Sequence, residues 1–211
     1  DILAGGGGND TLTGGKGNDG YVLTPGSTAA VTETAGEGND TLDFSAFAGP
    51  VTANLSTGFA TGVSNPFQYV ENIIGGSGDD SLTGDNDANR LTGGPGNDTL
   101  TGGAGDDTYV LNPSGTDSIT EASDGGSDPL DYSAFTASVT VDLGTATAPG
   151  TNGITNMENI IGGAAADALT GNADANRLAG GPGDDILNGG GGDDTYVLNP
   201  IGTDTIVETG G

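Results

Sequence analysis

An aspartate closes a glycine-rich run every nine residues over much of this chain. Residues 75–110 read GGSGDDSLT, GDNDANRLT, GGPGNDTLT and GGAGDDTYV, and residues 162–197 read GGAAADALT, GNADANRLA, GGPGDDILN and GGGGDDTYV. Residues 5–22 supply GGGGNDTLT and GGKGNDGYV, and a single unit, AGEGNDTLD, stands at 35–43. The pattern is Gly-Gly-x-Gly-x-Asp-x-U-x, with U a large apolar residue. Its chemistry is that of oxygen: carboxylates at fixed intervals, beside main-chain carbonyls that glycine leaves uncovered. Those are ligands for a hard cation. Ca²⁺ takes six to eight oxygens at ~2.3–2.6 Å in flexible geometry, whereas Mg²⁺ keeps its waters and demands a strict octahedron.

Other chemistries lack their residues. The 211-residue chain has no Cys, no His and no Trp, so it cannot build a thiol nucleophile, a disulfide, a Cys/His zinc site or a Ser-His-Asp triad. Thirty acids face only three bases, Lys16, Arg90 and Arg177, for a formal net charge of -27. A polyanion of that kind repels nucleic acid and acidic lipid headgroups. No apolar run approaches the ~20 residues of a membrane helix, so membrane insertion is not expected. A glycoside-type carboxylate pair could be drawn from so many acids, yet repeat position already accounts for the aspartates.

The elements that must carry these aspartates follow from the unit itself. Six residues make a turn, in which Gly at positions two and four permits positive φ and close backbone approach. Three residues make a short strand, whose position-eight side chain points one way while its neighbours point the other. So short a strand buries too little to fold alone. Stacking in register fuses the position-eight residues into one apolar column. Two turns return the chain, so one coil takes 18 residues, and coils stacked at the ~4.8 Å strand spacing form an all-β parallel β-roll, or solenoid. Position-six carboxylates then file along each edge about 5 Å apart, where they repel unless a cation lies between successive turns.

These nonapeptides resemble the RTX, or haemolysin-type, calcium-binding repeats of secreted bacterial proteins. The resemblance implies a parallel β-roll that binds several Ca²⁺ ions between turns, through the position-six Asp and turn carbonyls. Carried over by position, the ligands are Asp10, Asp19, Asp40, Asp80, Asp98, Asp107, Asp185 and Asp194, with Asp167 kept in its altered turn. The glycines of those turns are Gly6, Gly8, Gly15, Gly17, Gly76, Gly78, Gly94, Gly96, Gly103, Gly105, Gly181, Gly183, Gly190 and Gly192. Asp117, Asp128 and Asp204, in Asp-x-apolar echoes outside the blocks, join the candidate set. Asn89 and Asn176 replace the position-six Asp and Ala165 replaces the third Gly of its unit, so turns 84–89, 162–167 and 171–176 are expected to bind weakly or not at all. Asp85, Asp87 and Asp174 offer substitute carboxylates there.

A longer repeat frames the short one. Asp107-Thr108-Tyr109-Val110-Leu111-Asn112-Pro113 recurs 87 residues on, from Asp194, and Asp19-Gly20-Tyr21-Val22-Leu23 precedes it by 88. The expected organisation is the end of a first block at 1–22, a spacer at 23–74 holding the unit at 35–43, a four-unit block at 75–110, a spacer at 111–161, a four-unit block at 162–197 and the start of the next spacer at 198–211. Both ends fall inside the long repeat, so the chain is expected to be a window from a longer tandem array. The spacers alternate like strands at Val51–Leu55 and Val139–Leu143, and Glu71-Asn72-Ile73 and Glu158-Asn159-Ile160 hold the nine-residue register. The solenoid is therefore expected to continue through them in longer coils, rather than yield to a separate β-domain. Phe44, Phe47, Phe59, Phe67, Tyr69, Tyr132 and Phe135 concentrate there and are expected to fill or cap the core.

Functionally, the pattern points to a non-enzymatic array that folds on meeting Ca²⁺, since the sites do not exist in the unfolded chain. The resemblance implies unfolded export by type I secretion and folding outside the cell or at its surface. An adhesive or matrix-forming array, with lateral self-association or polysaccharide contact, is the alternative. Another is the non-catalytic module of a larger secreted enzyme or toxin.

Overall fold

Each regular unit folds as a turn and a strand, the turn where glycine and aspartate cluster and the strand where Thr flanks a large apolar residue. Gly93–Asp98 turns and Thr99–Thr101 is extended; Gly102–Asp107 turns back and Thr108–Val110 is extended on the opposite face. The computed structural model describes residues 1–36, 38–123 and 125–208. Glu37 of the single unit at 35–43, Asp124 of the second spacer, and residues 209–211 of the terminal segment lie outside them. The described residues hold 21 strands and no helix.

One face is an unbroken ten-stranded sheet. Its strands run Ile2–Ala4, Gly20–Val22, Thr41–Asp43, Asn72–Ile74, Arg90–Thr92, Thr108–Val110, Pro129–Asp131, Asn159–Ile161, Arg177–Ala179 and Thr195–Val197, each hydrogen-bonded in parallel to the next. We call this the front sheet. Register within a block is the predicted one, Arg90 opposite Thr108 and Arg177 opposite Thr195. At the spacers the same sheet continues with longer detours, Thr41 opposite Asn72 and Pro129 opposite Asn159. The spacers are coils of one solenoid.

The back face is broken where the front is not. Asn9–Thr13 pairs with Thr28–Thr32; Thr52–Asn54, Ser81–Thr83, Thr99–Thr101 and Ser118–Thr120 form a second piece; Thr140–Asp142, Ala168–Thr170, Ile186–Asn188 and Thr205–Val207 form a third. Between the pieces each spacer doubles back on itself. Phe59–Ala60 runs antiparallel to Thr52–Asn54, and Val63 then bridges Ala29. The second spacer repeats this, with Thr147 opposite Asp142 and Thr151 opposite Asp117.

The core lies between the faces as two stacked columns. Leu42, Ile73, Leu91, Tyr109, Leu130, Ile160 and Leu178 stack on the front, and Leu82, Leu100, Val141, Leu169 and Leu187 on the back, all buried. The spacers add edge-to-face aromatic pairs, Phe44 with Phe47 and Tyr132 with Phe135, at centroid distances of 5.5 and 5.0 Å. Phe67 is buried too. Phe59 and Tyr69 are not: they are 58% and 48% exposed, Phe59 on the antiparallel return strand and Tyr69 beyond it in a left-handed backbone conformation. Of the spacer aromatics expected to fill or cap the core, these two do not fill it.

Candidate metal centres

The residue before each strand defines an edge of the solenoid. Along the front edge stand Asp19, Asp40, Glu71, Asn89, Asp107, Asp128, Glu158, Asn176 and Asp194; along the back edge stand Asp80, Asp98, Asp117, Asp167, Asp185 and Asp204, with Asp10 at the equivalent repeat position but already inside the strand Asn9–Thr13. All twelve candidate aspartates are on these two files. Glu71 and Glu158 belong to the front file as well, although their Glu-Asn-Ile motifs mark only the nine-residue register in the sequence.

A ladder of hydrogen bonds fixes each side chain. One carboxylate oxygen accepts the N–H of the corresponding residue one coil earlier. On the back edge Asp98 accepts from Asp80 at 2.8 Å, Asp117 from Asp98 at 3.0 Å, Asp185 from Asp167 at 2.8 Å and Asp204 from Asp185 at 3.2 Å. On the front edge Asp40 accepts from Asp19 at 2.7 Å, Asp107 from Asn89 at 2.8 Å, Asp128 from Asp107 at 2.7 Å and Asp194 from Asn176 at 2.8 Å. Glu71 and Glu158 use their longer arms to do the same for Asp40 and Asp128. Asp10 opens the back file, half-buried over Gly5.

The second oxygen divides the turns into two kinds. In 75–80 and 162–167, Oδ2 of Asp80 and Asp167 accepts the N–H of Gly76 and Gly163, each at 2.6 Å. In 84–89 and 171–176, Oδ1 of Asn89 and Asn176 accepts the N–H of Asp85 and Asn172, each at 2.7 Å. These turns close on themselves. In 14–19, 93–98, 102–107, 180–185 and 189–194, Oδ2 of Asp19, Asp98, Asp107, Asp185 and Asp194 is buried and has no hydrogen-bond partner. A buried carboxylate oxygen left unpaired costs its full desolvation.

Glycine conformation tracks this division. Gly15, Gly17, Gly94, Gly96, Gly103, Gly105, Gly181, Gly183, Gly190 and Gly192 all have positive φ, as do Gly6 and Gly8. Gly76 and Gly78 stay outside the left-handed region, contrary to the expectation from their position. Their turn packs on Phe47 and Gly49 of the doubled-back spacer rather than on a regular coil. In the left-handed turns 93–98, 102–107, 180–185 and 189–194, carbonyls of the coil below crowd in: a β-carbon at Gly94 or Gly96 would strike the carbonyl oxygen of Gly76 or Gly78.

The electrostatics need a counter-charge. Burial, then the neighbouring Asp117 and Asp80, pushes Asp98 up to about 7. Burial, with Glu121 and Asp128 nearby, does the same to Asp107. Glu158 is likewise pushed to about 7 by burial and by Asp128. Arg90 is engaged elsewhere, 2.9 Å from Asp131. The unpaired oxygens and the carbonyls beneath them form an all-oxygen donor set that suits Ca²⁺ and offers nothing to a metal preferring nitrogen or sulfur.

The sequence profile of the RTX calcium-binding nonapeptide repeat matches residues 1–22, 74–109 and 161–196, in four copies. The chain carries RTX calcium-binding repeats. The unit at 35–43 and both spacers, save their last residues Ile74 and Ile161, lie outside the match. No curated protein matches the chain. The RTX match spans the turns with unpaired aspartate oxygens, and the closed turns as well. Profile membership alone does not separate the two kinds; the backbone does.

Proposed function

We propose that this chain is the calcium-dependent structural array of a secreted protein, disordered before export and a rod once it meets extracellular Ca²⁺. The observation that carries this is the set of buried, unpartnered Oδ2 atoms on Asp19, Asp98, Asp107, Asp185 and Asp194. Each sits in a left-handed glycine turn, and the turns of Asp98, Asp107, Asp185 and Asp194 stack on carbonyls of the preceding coil. Without metal, a formal charge of -27 on a glycine-rich chain opposes every close approach that stacking needs. With metal, binding free energy is folding free energy. Extracellular modules of this chemistry bind Ca²⁺ at ~10⁻⁴–10⁻³ M, matched to the medium outside a cell.

The principal ligands on this reading are those five aspartates, with the turn carbonyls beneath them. Asp10, Asp40, Asp117, Asp128 and Asp204 complete the files from neighbouring coils, while Asp80 and Asp167 serve chiefly to close their own turns. The role is non-catalytic. Far-ultraviolet circular dichroism of the chain in EDTA and in millimolar Ca²⁺ tests it: a coil-to-β transition on adding metal is expected. A chain fully folded in EDTA overturns the reading.

A further inference from the structure

At position eight, tyrosine stands only in the last unit of each block, as Tyr21, Tyr109 and Tyr196, and a glutamate follows each by 12 residues, as Glu33, Glu121 and Glu208. A leucine would fill the column equally well. The tyrosine does something more. Its ring stays in the core, fully so at Tyr21 and Tyr109, and its hydroxyl reaches the front edge. There it accepts the N–H of the position-one glycine, Gly14 at 2.9 Å, Gly102 at 2.7 Å and Gly189 at 2.9 Å. It donates to the glutamate, Tyr21 to Glu33, Tyr109 to Glu121 and Tyr196 to Glu208. The other glutamate oxygen is also held: Glu33 accepts from Gly15 N–H at 2.9 Å and Glu121 from Ala122 N–H at 2.6 Å.

Held this way, the glutamate meets two edge aspartates. Ligand oxygens of Asp107, Glu121 and Asp128 lie within 4.8 Å of one another, and those of Asp19, Glu33 and Asp40 do the same. Two oxygens bound to one Ca²⁺ at ~2.3–2.6 Å are at most about 5 Å apart. The spacing therefore fits a shared ion. Independently of the cluster, Oδ2 of Asp107 and of Asp19 is buried with no partner. A β-carbon added at Gly102 would strike Asp107 Oδ2, Tyr109 Oη and Glu121 Oε2 together, so the unpartnered oxygen faces the glutamate and the hydroxyl. Among the described residues no cationic side chain is bonded to Asp107, Glu121 or Asp128.

We infer that Glu33 and Glu121 are cation ligands, each making the last turn of its block a three-carboxylate divalent-cation site clamped by tyrosine. This rests on the calcium-binding reading above and extends it to residues outside the nonapeptides. Burial, with Asp128 nearby, raises Glu121, and burial, with Asp106 nearby, raises Asp128. Tyr109, raised by burial and by Glu121, stays protonated, so its O–H donates to Glu121 while its oxygen accepts from Gly102. Back-edge turns such as 93–98 have Leu100 in place of tyrosine and no such glutamate, so the two edges bind ions of different charge environment.

The test is titration of the full chain with Tb³⁺, followed by emission excited through tyrosine, beside calorimetric Ca²⁺ counting. The double variant Glu33→Gln/Glu121→Gln is expected to lose half or more of that emission. Two ions should leave its tight class, weakened about tenfold or more. Asp98→Asn should also lose an ion but keep the tyrosine-excited emission. A double variant with wild-type emission and wild-type ion count overturns the inference and leaves the calcium-binding reading standing. A wild-type chain that binds no Ca²⁺ overturns both. Should the glutamine variants fail to fold in saturating Ca²⁺, Glu121→Asp keeps the charge and retracts it by one methylene; an unchanged Ca²⁺ affinity there also overturns the inference.

Discussion

The N–H of Asp80 donates to Oδ1 of Asp98, 2.8 Å away and one 18-residue coil later. That bond gives the two oxygens of one carboxylate different tasks. Oδ1 locks adjacent coils in register, and Oδ2 is left buried with no hydrogen-bond partner. Asp80 has no such freedom, because its own oxygens are taken by Val51 N–H at 2.8 Å and Gly76 N–H at 2.6 Å.

Aspartate substitutions should therefore divide by turn type. Asp98→Asn keeps an oxygen for the ladder and removes the charge, so calorimetry should count one Ca²⁺ fewer. The Ca²⁺ midpoint of folding should rise roughly two- to fivefold. Asp80→Asn should move that midpoint less. Equal effects at the two positions would argue against the distinction.

The metal-free chain should respond to acid in an unusual direction. Asp98 and Asp107 are near 7 when folded and return to about 4 when unfolded. A carboxyl raised by folding favours the fold when protonated. That contribution is complete below about pH 4 and is lost as pH climbs through about 7. In EDTA, β-structure measured by circular dichroism should grow on acidification from about pH 8 to about pH 4. Loss of structure over that range would contradict the buried aspartates described here.

Glycine substitutions should separate turn strain from mere surface. Gly96 has φ of 141° and no room for a β-carbon against the Gly78 carbonyl. Gly96→Ala should cost about 1–3 kcal/mol, read as a lower melting temperature in saturating Ca²⁺. Gly49 is not left-handed and has open space around it, so Gly49→Ala should stay within about 0.5 kcal/mol.

Core truncation should act locally. Leu91 is fully buried in the front column between Ile73 and Tyr109. Leu91→Ala should cost about 2–5 kcal/mol. In a solenoid each coil contacts only its neighbours, so hydrogen exchange should quicken most at Asn72–Ile74 and Thr108–Val110 and little at Thr195–Val197.

The nine-residue period determined the strands, the 18-residue coil, the inward column at Leu91, Leu100 and Tyr109, and the two files of aspartate. All of these are local rules repeated, and a period is visible in a string of letters. Which oxygens stay free was decided only by stacking. Asp80 and Asp98 occupy the same position in nearly identical units, yet one sits over a doubled-back spacer and the other over a regular coil. The same path put Phe59 and Tyr69 outside and brought Glu71 and Glu158 onto the edge. It also carried Glu121 to Asp107 and Asp128, three residues that sequence separates and one site collects. A repeat fixes what each unit can offer. What lies one coil away depends on the length of chain between, and that distance is settled in three dimensions.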